Sequence, residues 1–370
     1  MRVLILSITA GQGHNSTGMA LVNYFNKLGI ECHFLDTYEY ISHLLAKSLS
    51  DGYSISTTVA AKPYSKFYRL IELRKKNADD KSATSLASSL LASRLVKFMD
   101  EYVPDVIICT HCLSAAIVDV LKQKGKTNAK AIGIVTDFTM HPFWEESIHF
   151  EYIVTPNELL NLQAFKKGFK KDQILPFGIP IDPKFAQKNE FKATARKKLG
   201  LDPNKFTILL MSGSMGYGDI EHTVSKLDEV KVDFQTITVC GNNAAAKEKI
   251  DEMEKKKTFL TFGYVDTIDQ LMDAADCIIT KPGGLTTSEA LAKNLPIIIT
   301  NPIPGQEDRN TEFLLNNGVA MKVSKTCPLE EIIYQFFYYT DREINIKRNI
   351  SLLRRPNSTR DLCDFVSKLK

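Results

Sequence analysis

At 370 residues the chain is longer than one hydrophobic core usually supports, so two domains are expected. Hydrophobic residues make up 44% and charged residues 24%, the proportions of a soluble globular protein, and no apolar run approaches the roughly 18 residues that a membrane-spanning helix needs. With 47 basic against 43 acidic residues, the net charge of +4 is too small to draw nucleic acid to the chain as a whole, and no nucleic-acid partner is expected.

The chain opens on Val3, Leu4, Ile5 and Leu6, a first strand rather than a signal peptide. Its seven cysteines are scattered, odd in number and mostly set in apolar runs, which fits reduced thiols in a cytoplasmic protein and indicates no disulfide framework. Cys109-Thr-His-Cys112 has a C-x-x-C spacing, but no second pair stands at zinc-finger distance and no thioredoxin pattern surrounds it.

Taken in order, the pattern predicts a strand at residues 3–7, a helix at 16–28 capped by Asn15 or Ser16, and strands at 31–35 and 105–109. A helix at 115–122, strands at 131–135, 151–154 and 173–175, and a helix at 158–167 follow. Strands alternating with helices imply a parallel sheet covered on both faces, with ligands at the carboxyl ends of the strands. Three prolines and a glycine between Pro176 and Pro183 break the pattern and read as a linker. It then resumes with strands at 206–211, 236–240, 259–262, 277–279 and 297–299, a second doubly wound domain. The expected organisation is a domain at 1–177, a second at 178–341, and a polar helical segment at 342–370 that packs back across both.

Chemistry-bearing residues collect after the strands. Ala10-Gly-Gln-Gly-His14 follows the first one: Gly11 and Gly13 permit close approach of a ligand, and His14 titrates in the range of a general base. A dinucleotide fingerprint would want glycine at Ser16, although Asp36 ends the second strand at about the right distance. Thr136-Asp137 ends another strand and precedes His141-Pro-Phe-Trp144; Asp137 and His141 form a second acid–base pair, and His111 is a third candidate. In the second half, Ser212-Gly-Ser-Met-Gly-Tyr-Gly218 repeats the strand, glycine loop and helix order, with Gly213 and Ser214 at its start.

The segment Lys281-Pro-Gly-Gly-Leu-Thr-Thr-Ser-Glu289 joins a strand to a helix. Gly283 and Gly284 allow the backbone near a ligand, and Thr286, Thr287 and Ser288 offer hydroxyls and amides at a positive helix end. Glu289 supplies a carboxylate in the first turn, suited to two ribose hydroxyls; a well-capped helix fits the same segment. Gln306, Glu307 and Asn310, after a rigid Pro-Ile-Pro-Gly loop, carry the directed donors and acceptors that recognise sugar hydroxyls, or else form a helix cap. Glycine turns at several strand ends together point to a ligand cleft between the domains.

Between the second and third strands, Lys62, Lys66, Arg69 and Lys75 ring a face formed by Tyr64, Phe67 and Tyr68. An interfacial helix on an anionic membrane has this character, as does a helix packed on its own domain.

Gly11-Gln-Gly-His14, the Asp137 to Trp144 loop, Gly213-Ser-Met-Gly216, Gly263-Tyr-Val265, the Lys281 to Glu289 segment and Pro304-Gly-Gln-Glu307 together resemble the glycolipid-forming glycosyltransferases of family 28. These include plant monogalactosyldiacylglycerol synthases and bacterial processive diacylglycerol glucosyltransferases. More distantly, the chain is similar to the N-acetylglucosaminyltransferase that makes lipid II. The resemblance runs along nearly the whole chain and implies a GT-B fold: two Rossmann-like doubly wound α/β domains facing a cleft.

It further implies that Glu289 binds ribose, that Ser214 and Thr286 or Thr287 lie near a diphosphate, and that the backbone at Tyr264 and Val265 holds uracil. Gln306 and Glu307 would hold the sugar. His14, or its rival Asp137, would be the base, with Gly11, Gly13, His141 and Trp144 near the acceptor. The implied reaction is inverting transfer of glucose or galactose from a UDP-sugar to diacylglycerol or a related lipid, by an enzyme peripheral on the inner face of the cell membrane. No Asp-x-Asp metal pattern occurs, so neither metal nor other cofactor is expected, and amides and helix dipoles would take the metal's role. A UDP-sugar epimerase on the same scaffold and a non-catalytic sugar-nucleotide module are the competing readings.

Overall fold

The computed structural model describes residues 1–9, 12–41, 83–213 and 219–369. Gly11, Ser214 and the basic aromatic residues Lys62, Tyr64, Lys66, Phe67, Tyr68, Arg69 and Lys75 lie outside the described residues. The chain folds as two units. One comprises Met1–Pro183, Pro304–Gln306 and Asn357–Lys370; the other comprises Lys184–Ile303 and Glu307–Pro356.

The first unit is built on strands β1 (Arg2–Ser7), β2 (Glu31–Asp36), β3 (Val106–Cys109), β4 (Lys130–Ile134), β5 (Tyr152–Val154) and β6 (Ile174–Leu175), in the order β2-β1-β3-β4-β5-β6. All pairings are parallel, and Ile5 of β1 stands between Phe34 and Ile108 of its neighbours. Central strands covered on both faces need continuous apolar runs, and β1 and β3 supply them. Their core is completed by Leu362, Cys363 and Val366 of the C-terminal helix Ser358–Ser367. Helix Gln12–Lys27 lies close on the sheet because residue 18 is glycine: a Cβ there would fall 2.6 Å from the Phe34 ring.

The second unit has strands β7 (Thr207–Met211), β8 (Gln235–Val239), β9 (Phe259–Phe262), β10 (Cys277–Thr280), β11 (Ile297–Ile299) and β12 (Ala320–Lys322). Their order is β12-β11-β10-β7-β8-β9, again all parallel, with Ile279 of β10 between Leu210 and Ile298. Strand order reverses between β1 and β3 in one sheet and between β7 and β10 in the other. Ligands of doubly wound sheets bind outside the carboxyl ends of strands at such reversals.

Three expected helices differ, while the strands shift by about a residue. The first helix starts at Gln12 rather than Ser16, so Asn15 is no cap. Its amide instead donates to Thr9 Oγ1 at 2.9 Å, while its Oδ1 accepts from Ser7 Oγ at 2.6 Å, tying the helix start to the end of β1. The helix expected at 115–122 begins at Cys112, because the His111 side chain caps it. The stretch from Glu158 divides into a 3-10 turn, Glu158–Leu160, and a helix, Asn161–Lys166. Residues 342–370 contain most of helix Thr340–Leu353, in the second unit, and the helix Ser358–Ser367, in the first. Among the described residues no helix is long and apolar enough to cross a membrane.

Candidate active site

At the reversal point of the first sheet, the carboxyl ends of β1 and β3 bring His14 and His111 together, with ring centroids 4.6 Å apart and edge-on. His14 Nδ1 lies 2.8 Å from the carbonyl oxygen of Thr110. A carbonyl only accepts, so Nδ1 carries the proton and Nε2 holds the lone pair that a base requires. Thr136 Oγ1, beyond the end of β4, is 3.1 Å from the same nitrogen. Burial lowers the pKa of His14, and the bond to Thr110 opposes this in part.

His111 and His141 take the opposite tautomer. Nδ1 of His111 accepts from the backbone N–H of Leu113 at 3.1 Å, and Nδ1 of His141 accepts from that of Phe143 at 3.2 Å. As neutral rings, both therefore carry their proton on Nε2. Burial, then the charges of His14 and His141, hold His111 well below the ordinary histidine range. The sulfur of Cys112 lies 3.9 Å from Nδ1 of both rings. Burial, with the Asp137 and Glu146 carboxylates adding to it, pushes that thiol up to about 12; burial also raises Cys109, which is enclosed in β3. Both sulfurs are thiols at neutral pH, which removes the thiolate that redox chemistry at this C-x-x-C spacing would use.

Two residues near this group have structural duties. Asp36 accepts from the Thr9 backbone and hydroxyl through Oδ2, at 2.9 and 2.6 Å, and from the Tyr38 and Glu39 amides through Oδ1. Its carboxylate is committed to the loop, which argues against the ribose role of a dinucleotide site. Trp144 was expected at the acceptor, but it is 3% exposed and its ring lies where a Cβ on Gly133 would be, 2.6 Å away. It belongs to the core beside β4 because only glycine leaves room for it there. Gly13 lies in the first turn of its helix, and Asp137 is partly buried in the loop after β4.

At the reversal point of the second sheet, the ends of β7 and β10 meet. Gly213 turns at φ +71°, where side chains are disfavoured, and a Cβ on it would lie 3.3 Å from Cε of Lys281. Lys281 Nζ reaches Glu307 Oε1 at 2.7 Å, while Oε2 of Glu307 accepts from the Ile303 backbone N–H at 2.7 Å. Asn310, wholly buried, donates to the carbonyl of Pro282 at 3.0 Å and holds the turn in place. Helix Gly284–Ala292 starts with Gly283 as its cap residue, and among the described residues no side chain caps it. Ser288 spends its hydroxyl on Gly284 O at 2.8 Å. Of the paired threonines, Thr287 is fully buried and Thr286 is partly exposed, so Thr286 is the more accessible of the two.

The helix begins early enough that Glu289 stands in its second turn, not the first as expected; it is partly exposed there. Tyr264 and Val265 follow β9, with Tyr264 61% exposed. Gln306 opens helix Gln306–Asn316. The second unit thus gathers Gly213, Gly283, Gly284, Thr286, Glu307 and Asn310 around one turn. Sequence reasoning gave Lys281 no role; its position directly after the last strand residue was the available signal. Thr110 and Thr136 were missed as partners of His14, which they meet across 96 and 122 residues of chain.

Two parallel doubly wound α/β units, each with polar groups at its strand-order reversal, make up the GT-B fold. The crystal structure of MurG from Acinetobacter baumannii shares this fold, with a TM-score of 0.66, 12% identity, and coverage of 100% of this chain and 99% of that one. Residues 14–181 match the family model described as Monogalactosyldiacylglycerol (MGDG) synthase, and residues 207–342 match the Glycosyltransferase family 28 C-terminal domain. The processive diacylglycerol beta-glucosyltransferase of Bacillus subtilis (strain 168) is 29% identical over 376 residues, covering 99% of this chain and 95% of the relative. The enzyme of the same description from Bacillus cereus (strain ATCC 14579) is 30% identical over 333 residues, covering 87% and 82%. The chain belongs to the family of monogalactosyldiacylglycerol synthases and processive diacylglycerol glucosyltransferases, and it is an enzyme.

Proposed function

We propose that this enzyme transfers a glucosyl or galactosyl group from a UDP-sugar to diacylglycerol, inverting the anomeric centre, at the inner face of the cell membrane. The observation that carries the reading is the turn at Gly283–Gly284. It opens a helix whose cap residue is a glycine, beside Lys281 and Gly213, at the place where a doubly wound sheet takes its ligand. Such a turn suits a diphosphate. The descriptions of the relatives supply the lipid and a beta product, and an α-linked UDP-sugar gives a β-glycoside by inversion.

In this reaction His14 Nε2 takes the proton of the acceptor hydroxyl as that oxygen bonds to the anomeric carbon. The bond from that carbon to the β-phosphate oxygen breaks, and its electron pair leaves with UDP. Backbone amides and the helix dipole stabilise the charge that develops there, so no metal is required. Glu289 holds the ribose hydroxyls, and Glu307 with Gln306 holds the sugar.

Membrane attachment is peripheral. Besides the basic aromatic segment 62–75, exposed Leu159, Leu162 and Phe165 neighbour exposed Lys166, Lys170 and Lys171 in sequence, a mixture suited to an anionic surface. The test is incubation with labelled UDP-glucose or UDP-galactose in EDTA, with and without vesicles containing diacylglycerol. Label in lipid supports the reading. Label in an epimeric nucleotide would make the protein an epimerase, no turnover would leave a binding module, and lipid labelling only with added Mg²⁺ or Mn²⁺ would overturn the metal-free part.

A further inference from the structure

Lys281 has no role among the groups that bind the sugar and the ribose, yet its pair with Glu307 occupies the centre of the second sheet's reversal point. Lys281 is the first residue after β10. Its aliphatic stem crosses the Gly213 turn so closely that a Cβ there would make a 3.3 Å contact with Cε. Its ammonium ends 2.7 Å from Glu307, whose other oxygen is held by the Ile303 amide at 2.7 Å. The lysine side chain is 20% exposed and the glutamate 9% exposed, so the cation is the partner that solvent or a ligand reaches more readily. The neighbouring helix start, Gly283 followed by Gly284, adds uncapped backbone N–H groups and the positive end of a helix dipole. A partly exposed cation tethered by one carboxylate, beside the start of a helix with a glycine cap, is an arrangement for receiving an anion whose charge grows.

We propose that Lys281 is the counter-cation of the leaving diphosphate, held ready by Glu307 and transferred to the β-phosphate oxygens as UDP departs. The proposal rests on the UDP-sugar reading and specifies which group does what a metal ion does elsewhere. The electron pair of the broken carbon–oxygen bond comes to rest on the β-phosphate, and the ammonium exchanges its contact with the Glu307 carboxylate for one with that oxygen. No proton is transferred by the lysine. Lysine suits the task because its three donors sit on a flexible stem and follow a moving charge.

The test is titration calorimetry of the full-length protein with uridine, UMP and UDP. Lys281→Met should reduce the preference for UDP over UMP at least tenfold while uridine binds as in wild type; Lys281→Arg should keep most of the preference. Glu307→Gln, which frees the lysine from its counter-charge and keeps an acceptor for Ile303, should tighten UDP severalfold and leave uridine unchanged. If Lys281→Met weakens uridine, UMP and UDP by one common factor, or if the UDP-to-UMP ratio is unchanged, the lysine is a structural partner of Glu307 and the proposal is overturned. Should Lys281→Met fail to fold, Glu307→Gln decides alone, since weaker UDP binding in that variant contradicts the tether. Failure of the wild-type protein to bind UDP at millimolar concentration would instead remove the donor reading itself, and the proposal with it.

Discussion

His14 and Thr110 are joined by a 2.8 Å hydrogen bond from the imidazole Nδ1 to a backbone carbonyl, and this one contact decides which nitrogen of His14 can act as a base. The contact is to main chain, so no side-chain substitution at position 110 removes the acceptor. Among the described residues, Thr136 Oγ1, at 3.1 Å, is the replaceable partner of the same nitrogen.

The pH dependence of the reaction follows from that site. As the proposed base His14 would work in its neutral form, and burial lowers its pKa from 6.5. As pH falls, the base is lost only when pH passes through the lowered value, so kcat/KM should stay flat from neutrality to below 6.5 and then decline. His14→Ala should lower kcat by about 10²–10⁴ with UDP affinity unchanged. Thr136→Val, which removes one neutral hydrogen bond, should cost up to roughly tenfold in kcat. The check is a kcat/KM profile on vesicle-presented acceptor; an acidic limb centred above 6.5 contradicts the assignment.

Glu289 tests the nucleotide end of the donor site. If its carboxylate receives both ribose hydroxyls, Glu289→Ala should weaken uridine and UDP by the same factor, about ten- to a hundredfold. The 2′-deoxy analogue of UDP should lose less on the substitution than UDP does, because one of the two hydroxyls that the carboxylate receives is already gone. Equal losses for UDP and its 2′-deoxy analogue would place Glu289 elsewhere. This pattern differs from that expected of Lys281, whose substitution should spare uridine.

The strands were legible because β7 and β10, buried along their whole length, contain the apolar runs 208–211 and 277–279, and the glycine turns after them were legible because glycine permits the backbone those turns need. The start of helix Gly284–Ala292 was less so. It depends on Gly283 adopting an extended φ of −67° and ψ of 141°, and the hydroxyls of Thr286 to Ser288 read as capping groups in sequence although they lie inside the helix. Distance along the chain hid the partners of His14. Trp144 was misplaced for a related reason: a lone aromatic in a loop looks like a ligand contact until Gly133 supplies the space that buries it.

Trp144 gives a direct stability test of that placement. Gly133→Ala should drive a methyl group into the indole and into Ile153, destabilising the protein by about 1–3 kcal/mol. Trp144→Ala should cost about 3–5 kcal/mol. The first is followed in urea by the fluorescence of Trp144, the only tryptophan, and the second by circular dichroism. A Trp144→Ala protein of wild-type stability with a raised KM for lipid would return this residue to the acceptor site.

A buried ion pair holds the helix Gly284–Ala292 at its far end. Lys293 follows helix Gly284–Ala292 and donates to Asp273 Oδ1 at 2.9 Å and to Gln187 O at 2.7 Å, while Asp273 Oδ2 accepts from the Asn189 amide at 3.0 Å. Both charged side chains are 1% exposed. A buried pair of this kind adds little over a neutral replacement, but removing one partner leaves the other charge without water or counter-ion. Lys293→Met should therefore destabilise the protein by about 3–5 kcal/mol, and Lys293→Met combined with Asp273→Asn should recover a large part of that loss. Urea denaturation of the two single variants and the double variant closes the cycle. If the double variant is as unstable as Lys293→Met alone, the cost lies in packing rather than in the stranded carboxylate. If the pair serves only to anchor the helix, the double variant should bind UDP as wild type does under native conditions, because the turn at Gly283 is held independently by Asn310.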